Sequence, residues 1–133
     1  MNPVEKTRNI EIVFIKDQKQ LIQLFSKKKK SDYLLNINKI IKDKFDQEIL
    51  IPNLIQSFLI NYEIKKLIDK AVNIRNLKYN RILYLNSNLT SNLIMNTLNF
   101  LATSYPSIQF HPKLIDSEIE FENLSGIEIL SIE

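Results

Sequence analysis

The chain has 133 residues, 44% of them apolar, with one glycine, four prolines, no cysteine and a formal net charge of +3. It is long enough for one domain with a real core and too apolar for a disordered chain. The missing thiols exclude disulfides, thiolate catalysis and zinc–thiolate sites, and no run of about 18 apolar residues offers a membrane-spanning helix.

Residues 9–15, Asn-Ile-Glu-Ile-Val-Phe-Ile, are rich in β-branched side chains and predict a first strand. Asp17 and Gln20 stand at the spacing of a capping box and open a short helix through Leu21, Ile22, Leu24 and Phe25. Ser31 and Asp32 can cap a second helix, whose Leu34, Ile37, Ile41 and Phe45 recur at helical spacing. Pro52 suits a first helical position. From Asn53 to about Ala71 a longer amphipathic helix is predicted, with a stripe that includes Ile55, Phe58, Leu59, Tyr62, Leu67 and Ala71.

The pattern changes at residue 81. Ile82-Leu83-Tyr84-Leu85 is a continuous apolar run, as a strand covered on both faces requires. Asn86-Ser87-Asn88 is turn chemistry, and Thr90 or Ser91 can cap a helix that carries Ile94, Leu98, Leu101 and Tyr105 before Pro106 ends it. Ile108 to Phe110 is a short strand. Ile119 to Glu122 and Ile127 to Leu130 predict two more, with Gly126, the only glycine, in a hairpin turn between them.

The order β-α-α-α-β-α-β-β-β predicts an α/β (α+β) fold with a small mixed sheet, a C-terminal β-hairpin and a helical block at about 31–78. The chain reads as a single domain, with a first strand and helix in residues 1–30 and a β-α-β-β-β unit in residues 81–133.

Charge is distributed unevenly. Residues 1–113 hold all 18 basic residues and nine acidic ones, whereas residues 114–133 hold six acidic residues and no basic ones. Lysines outnumber arginines fifteen to three. Together with abundant Ile and Asn, this fits an AT-rich or organelle gene, so lysine content alone says little about RNA. Its placement says more. Lys27, Lys28, Lys29 and Lys30 are four consecutive cations that can neutralise phosphates without reading sequence, and Tyr33 nearby can stack on an unpaired base. Lys65, Lys66, Lys70, Arg75, Lys78 and Arg81 extend that patch if the long helix lies alongside. The acidic residues Glu118, Glu120, Glu122 and Glu128 suggest a hairpin face that meets neighbouring proteins rather than a metal site.

Little points to a reaction centre. His111 is the single histidine and has no clear local partner; Glu118 or Glu120 are the least poor candidates for one. One glycine cannot build a phosphate cradle, and no G-x-S-x-G elbow surrounds the serines at 87–91. Free amides at the start of the 90–105 helix can accept an anion, as at any helix start. No catalytic residue, metal site, cofactor or small-molecule substrate is therefore expected. Residues 1–10 lack the apolar run of a secretory signal, and Lys6, Arg8 and Glu5 leave a transit peptide open.

Residues 81–133 carry a family resemblance. The strand Arg81 to Asn86, a polar loop of small residues from Ser87 to Ser91, a helix, Tyr105-Pro106-Ser107-Ile108-Gln109-Phe110, and a hairpin with Phe121, Ser125 and Gly126 follow in that order. This resembles the thioredoxin-like domain shared by certain mitochondrial ribosomal proteins and a respiratory complex I accessory subunit. The match covers roughly 40% of the chain, its loop lacks the family's usual glycine, and nothing in residues 1–80 carries it. The resemblance implies a non-catalytic docking platform within a large assembly.

The expectation is a structural subunit of a ribonucleoprotein, a mitochondrial ribosome above all, that contacts rRNA phosphates and neighbouring proteins without entering a membrane. Its place is mitochondrial, or otherwise cytoplasmic. The alternatives are a protein-interaction accessory subunit of a respiratory or other complex without RNA, and an α/β enzyme with a helical lid.

Overall fold

A computed structural model of the chain describes residues 8–25, 32–45, 53–72, 79–115 and 128–129. Their order is β1 (Arg8–Ile15), α1 (Gln18–Phe25), β2 (Asp32–Asn36), α2 (Ile37–Phe45), α3 (Asn53–Val72), β3 (Tyr79–Leu85), α4 (Ser91–Ser104), β4 (Ile108–Leu114) and β5 (Glu128–Ile129). The fold is α/β, as the alternation of strand and helix patterns predicts. The strands form one sheet in the order β2-β3-β1-β4-β5, and among the described residues every pairing is parallel.

Apolar runs in β1 and β3 become central strands because each has an apolar partner on both faces. Ile10, Ile12 and Phe14 of β1, with Ile82 and Tyr84 of β3, turn to one side and pack with α2, α3 and α4. Val13, Ile15, Leu83 and Leu85 turn to the other, where Leu21 and Leu24 of α1 cover them. The period-two alternation thus divides one continuous run between two cores. Phe14 and Tyr84 meet with ring centroids 4.9 Å apart, and both are fully buried.

Five features depart from the sequence reading. Residues 32–36, expected to be helical, are strand β2, paired with β3 from Asp32↔Arg81 to Asn36↔Leu85. Tyr33 and Leu35 pack on one core and Leu34 on the other, a strand's alternation. The helix begins only at Ile37, where Asn36 Oδ1 accepts the Lys39 N–H at 3.0 Å and caps it. In α3 the buried stripe is Gln56, Ile60, Ile64 and Ile68, and the expected Phe58 and Tyr62 are exposed.

Gln20 does not close a capping box: Asp17 Oδ1 accepts the Lys19 N–H, while Gln20 Nε2 donates to the Ile115 carbonyl. Where a mixed sheet was expected, every pairing among the described residues is parallel. Glu128–Ile129 joins it alongside β4, from Lys113↔Glu128 to Leu114↔Ile129. The expected partner strand at 119–122 and the turn at Gly126 lie outside the described residues. β4 runs beyond the expected Phe110 to Leu114, because its ladder with β1 continues through Pro112 at the loss of a single donor.

Candidate functional site

The topology creates a cleft at the carboxyl edge of the sheet. β1 and β3 are neighbours, yet the chain leaving β1 enters α1 on one face and the chain leaving β3 enters α4 on the other. Where successive connections diverge in this way, an open parallel sheet leaves a crevice beyond its strand ends. Here the crevice has a volume of about 1420 Å³ and runs along the α2, α3 and α4 side.

Three strand ends build its walls. Lys16 follows β1, Asn36 ends β2 with Asn38 in the first turn of α2 behind it, and Ser87 and Asn88 follow β3. The turn after β3 is held from within: Asn86, fully buried, accepts the Asn88 N–H on its Oδ1 at 2.9 Å and the Leu89 N–H on its carbonyl. Thr90 is then the cap of α4, its Oγ1 accepting the Leu93 N–H at 3.2 Å. Asn38 Oδ1 accepts both the N–H and the hydroxyl of Ser87, at 2.9 and 3.0 Å, and so ties the start of α2 to this turn.

These bonds set the chemistry of the cleft. The side-chain oxygens of Asn36 and Asn38 are taken by backbone donors, which leaves their amide N–H groups to face other partners. Lys16, Lys39 and Lys42 also line the cleft, and no carboxylate, imidazole or thiol does among the described residues. Lys39 pairs with Asp43 at 3.9 Å, but both ends are largely exposed, so water screens the pair and little of the cation is cancelled. The result is a donor-rich, cationic hollow.

One lining group stands apart. Gln56, on α3, also lines the cleft and is only 7% exposed. Ile41, Leu89 and Leu93 provide apolar surface in the same cleft.

The residues singled out from sequence fall elsewhere. Lys27 to Lys30, Arg75 and Lys78 lie outside the described residues, as do Glu118, Glu120 and Glu122. Glu128 is in β5 at the opposite edge of the sheet from β2. Lys65 and Lys66 are exposed on α3 but engaged: Lys65 Nζ meets Asp69 at 3.1 Å, and Lys66 Nζ meets Glu63 at 3.4 Å and the Tyr62 ring at 4.9 Å. Tyr33 is partly buried against the core, with its hydroxyl enclosed. Arg81, in β3, pairs in register with Glu11 and Asp32.

His111, on β4, shares a 2.9 Å hydrogen bond with Asn9 Oδ1 at the start of β1, away from the strand ends that line the cleft. Glu11 is buried in the central strand and paired with Lys113 at 3.4 Å. Among the described residues no group of three or more His, Asp or Glu side chains could hold a metal ion. No helix among them is long and apolar enough to cross a membrane.

The cleft residues Lys16, Lys39, Lys42 and Gln56 were not singled out from sequence. Lys16 follows directly on β1, Lys39 and Lys42 lie in the helix after β2, and Gln56 lies in α3, so no common spacing marks them. Fold and cleft together define an open, doubly wound parallel α/β protein with a cationic crevice at its carboxyl edge. Compared with protein-family models, curated proteins and solved structures, the chain matches none of them.

Proposed function

We propose that the protein binds a phosphate-bearing ligand in the carboxyl-edge cleft and holds it without transforming it. The observation that carries this reading is the lining: Lys16, Lys39 and Lys42 with no carboxylate among the described residues. Three like charges around one hollow repel each other, and an anion relieves that repulsion while releasing counterions. The side-chain amides of Asn36 and Asn38 add neutral donors suited to phosphate oxygens. The groups that most often move protons in enzymes do not line the cleft among the described residues, which supports binding over catalysis.

The ribonucleoprotein expectation is the form of this reading in which the phosphates belong to an RNA. It draws also on the Lys27 to Lys30 run in the sequence. Titration of a fluorescent single-stranded RNA and of pyrophosphate at several salt concentrations tests the reading. Exchanging Lys39 and Lys42 for Glu should weaken both, and should flatten the logarithmic salt dependence for RNA by about 1.4 or more, since each phosphate contact on a single strand contributes about 0.7. Lys70→Glu, outside the cleft, should change little. Affinity that is independent of salt, or equal losses at Lys70 and at the cleft, defeats the proposal.

A second reading, a protein-interaction subunit, has one observation in its favour. Phe58 and Tyr62 are 67% and 57% exposed on the outer side of α3.

A further inference from the structure

Resting on the phosphate-binding reading, we infer that the ligand is a single-stranded RNA, its phosphates on the cleft lysines and two of its bases stacked on Phe58 and Tyr62. Both aromatics face water, at 67% and 57% exposure. They stand four residues apart on α3, which puts their Cβ atoms about 5–6 Å apart on one face of the helix. Two large rings side by side in water call for a partner with flat apolar surface. Unpaired bases supply it, because every base has a π-face, and RNA displays such bases in its loops, bulges and ends.

The cations around the rings decide between a nucleic acid and a protein. Lys44 Nζ and Lys66 Nζ stand 5.4 and 4.9 Å from the centre of the Tyr62 ring. Both pair with the Glu63 carboxylate, at 3.6 and 3.4 Å, so two positive charges share one negative. Protein interfaces are enriched in aromatics but depleted of lysine, whereas single-strand binders set cations beside their stacking rings to follow the backbone. The patch also continues the cleft. α2 lends Lys39 and Lys42 to the cleft and Lys44 to the Tyr62 ring, and α3 lends Ser57 to the cleft directly before Phe58. A compact anion occupies only the first part of that track, and a chain that alternates phosphates with bases uses both.

Fluorescence anisotropy of the full chain with a labelled single-stranded RNA and with the same RNA annealed to its complement, beside calorimetry with pyrophosphate, tests this inference. Phe58→Ala and Tyr62→Ala should each weaken the single strand about fivefold or more, the lower end of what one base–ring stack contributes. Pyrophosphate affinity should not change, since neither side chain lines the cleft, and a thermal melt should show an intact fold. Tyr62→Phe keeps the ring and should keep the affinity. The duplex, whose bases are stacked on each other, should bind more weakly than the single strand. Lys39→Glu with Lys42→Glu should weaken RNA and pyrophosphate alike.

A single-strand affinity untouched by Phe58→Ala and Tyr62→Ala, or a duplex bound as tightly as the single strand, overturns the RNA inference and leaves the phosphate reading standing. Equal losses of RNA and pyrophosphate on those two exchanges overturn it as well. A protein partner that Phe58→Ala releases while RNA binding persists makes the patch a protein interface instead. Failure of both RNA and pyrophosphate to bind removes the inference and the phosphate reading together.

Discussion

Tyr105 Oη donates a 2.7 Å hydrogen bond to Asp69 Oδ1, so the residue that ends α4 is fastened to α3 across 36 positions of sequence. Lys65 Nζ holds the other carboxylate oxygen at 3.1 Å. The two contacts keep the Asp69 carboxyl below its ordinary value of 3.8, the tyrosine bond being the larger cause. Burial, and then the carboxylate beside it, push the Tyr105 phenol upward.

A pH dependence follows from this pair. A carboxylate whose folded value lies below its unfolded one stabilises the fold above that unfolded value, and the contribution is lost as pH falls through the folded value. Tyr105→Phe should therefore cost about 1 kcal/mol at neutral pH, and the difference from wild type should shrink as pH drops below 3.8. Urea unfolding of both proteins at neutral and acidic pH measures this. A gap that stays constant across that range would show that the ion plays no part.

Tyr84 gives the opposite sign. Burial pushes its hydroxyl up to about 12 from 10, although hydrogen bonds to Asn86 and Thr97 act downward. The neutral phenol is the form that the fold retains, so its contribution is complete below pH 10 and disappears as pH rises toward 12. In an ultraviolet absorbance titration two of the five tyrosines, Tyr84 and Tyr105, should ionise late, and the Tyr84 step should come with loss of helical circular dichroism. Tyr84→Phe should remove that late step and cost about 1 kcal/mol, whereas Tyr84→Ala should cost roughly 3–5 kcal/mol through the cavity left against Phe14.

The orientation of α3 is testable by a pair of truncations. Ile64 is fully buried and Phe58 is 67% exposed, although the larger aromatic is the stronger hydrophobe. Ile64→Ala should lose about 2–5 kcal/mol in chemical denaturation, and Phe58→Ala about 0.5 kcal/mol or less. The reverse ranking would place the other face of the helix against the sheet.

That helix also shows where sequence patterns run out. α3 carries apolar residues on more than one side, so Phe58 and Tyr62 trace as good a stripe as Ile60, Ile64 and Ile68. The β-branched isoleucines meet the flat sheet, and Tyr62 is accommodated outside because Lys44 and Lys66 sit over its ring at 5.4 and 4.9 Å. Likewise Tyr33-Leu34-Leu35 is followed by Ile37 and Ile41 at helical spacing, and propensity alone does not reveal the strand. β3 does, by providing a ladder that those residues join.

Local chemistry sufficed where one pattern had one meaning. The β-branched run of β1, the unbroken apolar run of β3, the Thr90 cap and the stop before Pro106 are each decided by backbone sterics and by which faces water must leave, and these act within a few residues. The candidate site is different in kind. Lys16, Asn38, Gln56 and Asn88 are spread over 73 positions of chain and share no spacing. Only the parallel order of the strands brings their carboxyl ends to one edge, because a crossover connection returns each strand in the same direction as the last. Burial is a property of neighbours, so Gln56 is enclosed only when the helices close over the sheet.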